Sequence, residues 1–487
     1  MVADGKDVTY GQLLRFTALA AARLVEAGVR QGDSVALSIT RPGPYVIVAL
    51  AVARIGAVVT PFDITWPAAL SEIILARHKI TTLVRDFNEE WRHPSLAADR
   101  YLAVKDLLAP APAGAPLQIP EVAMEVGGEP WAIMLSSGTT GKRKSIPQTH
   151  DRAMLMASLP NTAFTPPDMG RVLLFATPHI SMVMSIIMKQ LVGGRAIVLD
   201  SVRTPENFFV IVERDRPTHV AMSTGNATGL AAYAARAVKD SREKCKGLRG
   251  ISIAGSAASP ALCAQIREYI CPNLEIGYGS TEAGSVALAT PQTLAERPQS
   301  AGRLQPWVEM QAVDDEGRPL PAGQVGVLRV RSPLVVSGYL DDPQSSAKAF
   351  RDGWYYPGDT GHVDKAGYLT LAGRSDEVIN IGGNKIDPVA IEAVLDAQPG
   401  VEESVVVAVT GPQGRDVLIA LVVTSGDFDE QALRKACIES LGPRNVPRRI
   451  RRTEIIPRNA GGKVMRKEIA QRVAKLGPGS APSGDEG

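Results

Sequence analysis

Met134-Leu135-Ser136-Ser137-Gly138-Thr139-Thr140-Gly141-Lys142-Arg143-Lys144-Ser145 is the stretch around which the chain is organised. The apolar run 131–135 reads as a buried strand, and it empties into hydroxyls and glycines. Glycine lets a backbone turn tightly and bring its N–H groups against an anion. Ser136, Ser137, Thr139 and Thr140 add hydroxyl donors, and the cations after them match a polyphosphate in charge. The Walker spacing is different, because it needs Gly-x-x-x-x-Gly-Lys followed by Ser or Thr. Here Ser136 stands at its first glycine and Arg143 follows Lys142. Alone, Gly-Thr-Thr-Gly is more often a surface turn with basic residues behind it. The rest of the chain decides between the two.

At 487 residues the chain is too long for one ordinary domain and has enough apolar material, 45%, for a large core. A net charge of +2 gives a nucleic-acid partner no electrostatic support. Cys245, Cys263, Cys271 and Cys437 lack any Cys-x-x-Cys metal spacing and read as reduced thiols of a cytoplasmic protein. Val2-Ala3-Asp4-Gly5 after Met1 has neither the basic head nor the apolar stretch of a signal peptide. The longest apolar stretches, 46–59 and 180–192, are interrupted by Arg54 and Lys189 and are too short for a membrane span.

Outward from the loop, strand and helix alternate. Thr9 caps a helix to about Ala27, with Leu13, Leu14, Ala18, Ala21, Leu24 and Val25 on one face, and Gly28 stops it. Residues 35–39 and 58–60 read as strands around a helix over 45–54, and the alternation returns through 173–199 and 220–253. The Pro/Ala stretch 110–120 reads as a surface crossing. After about Ser285, Gly and Pro punctuate short strands at 308–313, 326–330 and 368–371. From Asp376 come a hairpin, a helix over 388–397, strands over 405–409 and 418–423, and a helix over 429–441. The expected fold class is therefore α/β. A large N-terminal domain of parallel sheets with helices, residues 1–375, carries a β subdomain at about 286–375. A small mobile α+β C-terminal domain follows over 376–475, and then a disordered tail, 476–487.

Four further groups of residues carry chemistry. Tyr278-Gly279-Ser280-Thr281-Glu282 follows the strand-like 274–276 and offers a flat ring, a hydroxyl donor and a carboxylate suited to Mg²⁺. Gly358-Asp359 puts an acid on a tight turn, where it can accept hydrogen bonds from both hydroxyls of a ribose. Gly373-Arg374-Ser375-Asp376 is a short polar step between two units, the place for a hinge. Gly461-Gly462-Lys463 presents a lysine on two glycines, flanked by Arg458 and Arg466. Each alone is more often an ordinary loop, and the arginines of 444–452 are ordinarily solvated surface.

Together, in this order, they resemble the acyl-adenylate-forming superfamily of acyl- and aryl-CoA synthetases, peptide-synthetase adenylation domains and luciferases. The resemblance runs from about Val8 to Ala470. It starts where the family carries a further N-terminal segment, so that segment is either trimmed or missing. The loop is similar to the family's Ser-Ser-Gly-Thr-Thr-Gly-x-Pro-Lys, with Arg143 at the proline and Lys144 as the lysine. Arg143 and Ser145 replace the usual Pro and Gly, which bears on pyrophosphate release.

The resemblance implies an ATP/AMP site of Ser136, Ser137, Gly138, Thr139, Thr140, Gly141, Lys144, Gly255, Ser256, Ala257, Tyr278, Gly279, Ser280, Thr281, Asp359 and Arg374. It implies Lys463, Thr281, Glu282 and His179 as catalytic residues, Glu282 as the metal ligand, and Asp376 as the hinge. Gly382 and Gly383 would flank a pantetheine arm, and His179, Ile180, Met184, Ser223, Thr224 and Gly279 would line an acyl pocket. The implied cofactors are ATP, Mg²⁺ and CoA, or a phosphopantetheine thiol. The implied partner is a small-molecule carboxylic acid, aromatic or medium-length aliphatic. An α-amino acid is disfavoured, because Ile180 or a neighbour falls where peptide synthetases place an Asp. Two alternatives stand beside a CoA ligase: an enzyme loading an acyl carrier protein, and a non-catalytic nucleotide-binding regulator. A monomer or homodimer is expected.

Overall fold

The computed structural model describes residues 1–64, 66–86, 90–97, 100–110, 126–136, 144–159, 170–178, 180–374, 379–381, 384–386, 388–410, 416–424, 426, 429–458 and 464–475. The Pro/Ala stretch beyond 110 and the tail from 476 lie outside them.

Two large sheets carry the first three quarters of the chain. One has six strands in the order Tyr101–Ala103, Ile80–Arg85, Ser34–Ser38, Val58–Pro61, Pro130–Ser136, Lys144–Thr149. All neighbours are parallel except the last pair, which is antiparallel with Ser136 opposite Lys144. Crossover helices Pro42–Arg54 and Ala68–Arg77 link the parallel strands, as parallel connections require. The helix Tyr10–Glu26 starts at Thr9 with a capping box: Thr9 Oγ1 accepts from Gln12 N at 3.2 Å, and Gln12 Oε1 accepts from Thr9 N at 2.8 Å. Its buried face is Leu13, Thr17, Ala18, Ala20, Ala21 and Leu24. Leu14, expected on that face, is 58% exposed because it sits one position past the stripe through Leu13, Thr17 and Leu24.

The other sheet has 15 strands. Its parallel part runs Ala196–Leu199, Arg171–Phe175, His219–Ser223, Gly250–Ala254, Leu274–Ser280. It then continues antiparallel through Gly284–Ala289, Gly302–Leu304, Tyr368–Arg374, Asp359–Val363 and Gly326–Arg331. The β subdomain expected from about 286 therefore has no sheet of its own. The reversal is made locally, by the turn that ends at Gly284 (φ +70°), a left-handed conformation suited to glycine.

After residue 378 come the hairpin Ile379–Ile381/Asn384–Ile386 and the helix Pro388–Asp396. A three-stranded sheet follows, Val401–Thr410, Asp416–Thr424 and Arg449–Arg452, with the helices Glu430–Leu441 and Arg466–Lys475. Alternation splits its apolar residues between two cores. Val406, Ala420 and Val422 pack with Ile391, Leu395 and Leu433. Val405, Val407, Ile419 and Leu421 pack with Ile469 and Val473. The arginine-rich stretch read as solvated surface thus contains an edge strand held by Ile450, which is 2% exposed. None of the core clusters among the described residues mixes side chains from before 375 with side chains from after 378.

Candidate active site

The C-terminal end of strand Leu274–Ser280 is where the singled-out residues meet. The expected strand 274–276 is longer, so Tyr278, Gly279 and Ser280 are strand residues. Tyr278 donates its hydroxyl to Asp359 Oδ2 at 2.5 Å, and Arg374 Nη1 donates to Asp359 Oδ1 at 2.9 Å. Burial, then the Asp359 charge, holds the Tyr278 phenol protonated well above its ordinary range. Asp359 opens strand Asp359–Val363 directly opposite Arg374, and the turn expected at the acid belongs to Gly358 (φ +83°). Gly279 admits no side chain: a Cβ would lie 2.1 Å from the Gly284 carbonyl oxygen.

Glu282 is 7% exposed and pinned twice. Its carbonyl accepts from Val336 N at 2.9 Å, and its Oε1 accepts from the Tyr339 hydroxyl at 3.1 Å. Lys144 Nζ donates to the same hydroxyl at 3.3 Å and lies 4.5 Å from the Tyr339 ring centre. Tyr355 packs in the same core cluster as Tyr339, and the Phe350 ring contacts both. Arg152 Nη2 donates to the Thr281 carbonyl at 3.0 Å, with Nε on the Leu334 carbonyl at 2.6 Å and Nη1 on Gln148. Burial pulls its guanidinium down to about 10, against the attraction of Glu282.

Sequence reasoning missed Tyr339, Tyr355 and Arg152. Tyr355 stood beside the Gly358-Asp359 motif, and an aromatic there was the one available signal. Tyr339 and Arg152 sit in stretches whose spelling marks no chemistry.

Ser145 is tied from two sides: His78 Nε2 is 2.8 Å from its hydroxyl, and Leu340 N donates to its carbonyl at 2.8 Å. Burial, then Arg77, brings His78 down to about 4, so the ring is neutral at pH 7. Of the adenine and acyl-pocket expectations, one contact links the two sets, between Thr224 and Ser256. Gly255 has φ +112°, and Thr224 Oγ1 donates to the Ser256 carbonyl at 2.9 Å. Ser223 caps helix Thr224–Ala237 through Asn226 N at 3.2 Å. Ile180 precedes helix Ser181–Val192 and packs on the core that holds Leu24, Val35 and Val59, in which Met184 is 2% exposed. Ser137, Gly138, Thr139, Thr140, Gly141, His179, Asp376, Gly382, Gly383 and Lys463 lie outside the described residues. The 459–463 stretch is bracketed by a bridge between Arg458 and Val464, with Arg458 on Glu403 and Arg466 on Glu392.

No group of three or more His, Cys, Asp or Glu among the described residues forms a metal cage. One buried carboxylate, Glu282, fits a Mg²⁺ ion whose other ligands are phosphate oxygens and water. No helix among the described residues is long and apolar enough to cross a membrane.

The AMP-binding enzyme family model matches residues 1–340, and the AMP-binding enzyme C-terminal domain model matches 390–463. The chain belongs to the AMP-binding enzyme family, the group its motifs resemble, and is an AMP-forming acid–thiol ligase. It is 30% identical over 495 residues to a 2-succinylbenzoate–CoA ligase of Geobacillus kaustophilus, covering 97% of this chain and 95% of that one. A feruloyl-CoA synthase of an Amycolatopsis species is 29% identical over 481 residues, 96% and 94% of the two chains. The amide bond synthetase McbA from Marinactinospora thermotolerans superposes with a TM-score of 0.83 at 27% identity, covering 97% of this chain and 96% of its own.

Proposed function

We propose that the chain joins an organic acid, aromatic or medium-length aliphatic, to AMP with release of pyrophosphate, and then passes the acyl group to the thiol of CoA. One observation carries this reading: Asp359 and Glu282, distant in sequence, are both tied to the end of strand Leu274–Ser280, one through Tyr278 and the other beside Thr281. Lys144, at the exit of the phosphate loop, joins Glu282 through Tyr339. The 2-succinylbenzoate and feruloyl groups in its relatives' names favour an aromatic acid.

A carboxylate and the ATP α-phosphate repel, so catalysis is chiefly charge neutralisation and positioning. Asp359, oriented by Tyr278 and Arg374, accepts the ribose hydroxyls. Gly255, Ser256 and Ala257 border the adenine. Ser136, the 137–141 stretch and Lys144 hold the departing pyrophosphate, and Thr281 holds the α-phosphate. Lys463 bridges the acid and the α-phosphate oxygen. Glu282 would hold Mg²⁺, which supplies charge neutralisation on the phosphates when bound. Residues 1–375 and 376–475 form two units joined at Asp376, so that Lys463 withdraws after the first step and Gly382-Gly383 admits the pantetheine arm. His179, Ile180, Met184, Ser223, Thr224 and Gly279 border the acyl group. The reading includes a cytoplasmic compartment, where free thiols such as the four buried cysteines persist, and a monomer or homodimer.

The test is ATP–pyrophosphate exchange over a panel of acids, followed by thioester formation with CoA and, separately, with a phosphopantetheinylated carrier protein. Acid-dependent exchange that vanishes in Lys463→Ala, with thioester on CoA, is the expected result. Exchange with thioester only on the carrier moves the acceptor, and no exchange with any acid leaves a nucleotide-binding regulator.

A further inference from the structure

Strand Leu274–Ser280 lies inside the large sheet, bonded to Gly250–Ala254 on one side and Gly284–Ala289 on the other. In the parallel part of such a sheet, strands are normally covered on both faces. Gly250–Ala254 obeys this, with every residue after Gly250 buried. On Leu274–Ser280 only Leu274 is buried, and Gly279 is exposed. Alternation separates the two faces of the sheet. Val220, Met222, Ile251, Ile253 and Leu274 all belong to one core cluster, on one side of the sheet. Ser223, Ser252, Ala254, Glu275 and Gly277 point the other way, and the strand register sets them side by side.

That face is made of small residues with one exception, Glu275. Ser252 Oγ donates to Glu275 Oε2 at 3.2 Å, across the pair Ser252–Glu275. Among the described residues no cation forms an ion pair with it. Burial pushes its carboxyl up, against the Ser252 hydrogen bond. A carboxyl among alanines and glycines on an inner strand costs stability, and neither packing nor an ion pair explains it. Glu275 precedes Gly279 by four residues, about 13 Å along a strand. At that end of the strand stand Tyr278 and Asp359. An acid activated there that lay back along this strand, past the part-exposed Gly277, would bring its far end to Glu275.

We infer that Glu275, seconded by Ser252, is a specificity site that accepts a hydrogen bond from a hydroxyl or amino group at the far end of the acid. The substrate class is then an aromatic carboxylic acid carrying such a donor opposite its carboxyl. The inference rests on the acid-activating reading above and adds the substrate class to it.

The experiment compares paired acids that differ only in the donor: benzoate with 4-hydroxy- and 4-aminobenzoate, and cinnamate with 4-hydroxycinnamate. Pyrophosphate release is followed with ATP, Mg²⁺ and CoA in wild type, Glu275→Gln and Glu275→Leu. The donor-bearing acid is expected to lead by at least ~10-fold in kcat/KM. Glu275→Gln keeps part of that lead through its amide oxygen. Glu275→Leu loses or reverses it while holding the donor-free acid within a few-fold of wild type. Equal turnover of both members of every pair by the wild type overturns this inference and leaves acid activation standing. An unchanged preference in Glu275→Leu does the same. If the leucine variant has no cooperative melting transition, the wild-type ratio and Glu275→Gln decide. A wild type that activates no acid at all overturns both readings together.

Discussion

Tyr339 donates its hydroxyl to the buried carboxylate of Glu282 at 3.1 Å, and so sets the distance between that carboxylate and Lys144. A carboxylate 7% exposed is costly without donors, and an ammonium directly on it would compete with any ion placed there. The phenol keeps the two charges near each other without pairing them.

Tyr339→Phe should therefore leave Glu282 without this donor, at roughly 1–3 kcal/mol. Lys144 would then be able to pair directly with Glu282. The expected outcome is a roughly 10-fold fall in kcat/KM for Mg²⁺·ATP, with a higher Mg²⁺ concentration for half-maximal rate. Pyrophosphate release titrated with Mg²⁺ measures both. A variant with wild-type Mg²⁺ dependence would reduce Tyr339 to packing.

How much of this was legible in the sequence differs by element. Regular alternation made the parallel sheets plain, because period and spacing are local properties. The fusion of the β subdomain onto them was hidden, since it depends on one turn ending at Gly284 and on strands more than 60 residues apart pairing, such as Gly302–Leu304 with Tyr368–Arg374. Asp359, Arg374 and Glu282 were singled out because they belong to recognisable short motifs. Tyr339, Tyr355 and Arg152 act only through partners brought to them by folding, so no local pattern announces them. The strand at Arg449–Arg452 was hidden because its pattern is one buried isoleucine among arginines that stay exposed or half-buried.

Gly279→Ala tests the close approach at the site. The added carbon would lie 2.1 Å from the backbone oxygen of Gly284, which cannot swing aside as a side chain would. Destabilisation of about 1–3 kcal/mol is expected, with displacement of Tyr278 and a rise in KM for ATP. Thermal melting and ATP kinetics on the variant check the two halves. An unchanged melting temperature would mean that the bulge at Tyr278/Gly279 relaxes freely.

Asp396 gives a pH test. Burial pushes its carboxyl up to about 7, with Glu392 adding repulsion and Ser404 hydrogen bonds opposing. The unfolded chain releases that proton near 4. Between these values the folded form holds a proton the unfolded form has lost. The contribution to stability is therefore complete below about pH 4 and lost as pH rises through 7. Hydrogen exchange in helix Pro388–Asp396 should be slower relative to the intrinsic rate at pH 5 than at pH 8, by roughly 1–3 kcal/mol of opening free energy. Asp396→Asn should flatten that difference, and a variant as pH-sensitive as wild type would assign the effect elsewhere.

Arg466 and Glu392 join the last helix to the one before the small sheet. Arg466 Nη2 donates to Glu392 Oε2 at 2.6 Å, Nη1 donates to Oε1, and Nη1 also reaches the Val406 carbonyl at 3.1 Å. Val406 N in turn donates to Glu392 Oε1 at 2.6 Å, so the pair is stitched to strand Val401–Thr410 of the small sheet. The side chains are 18% and 11% exposed, and removing either charge leaves the other buried, at about 3–5 kcal/mol. Arg466→Met should thus cost more than Arg466→Met combined with Glu392→Leu, a sign reversal that only a coupled pair produces. The bridge Arg458–Val464 puts this pair at the base of the stretch carrying Lys463. Loss of the pair should accordingly slow acyl-AMP formation more than transfer from a supplied acyl-AMP to CoA. Rates of the two half-reactions in both variants distinguish a positioning role, which changes their ratio, from simple loss of the folded fraction, which lowers both equally.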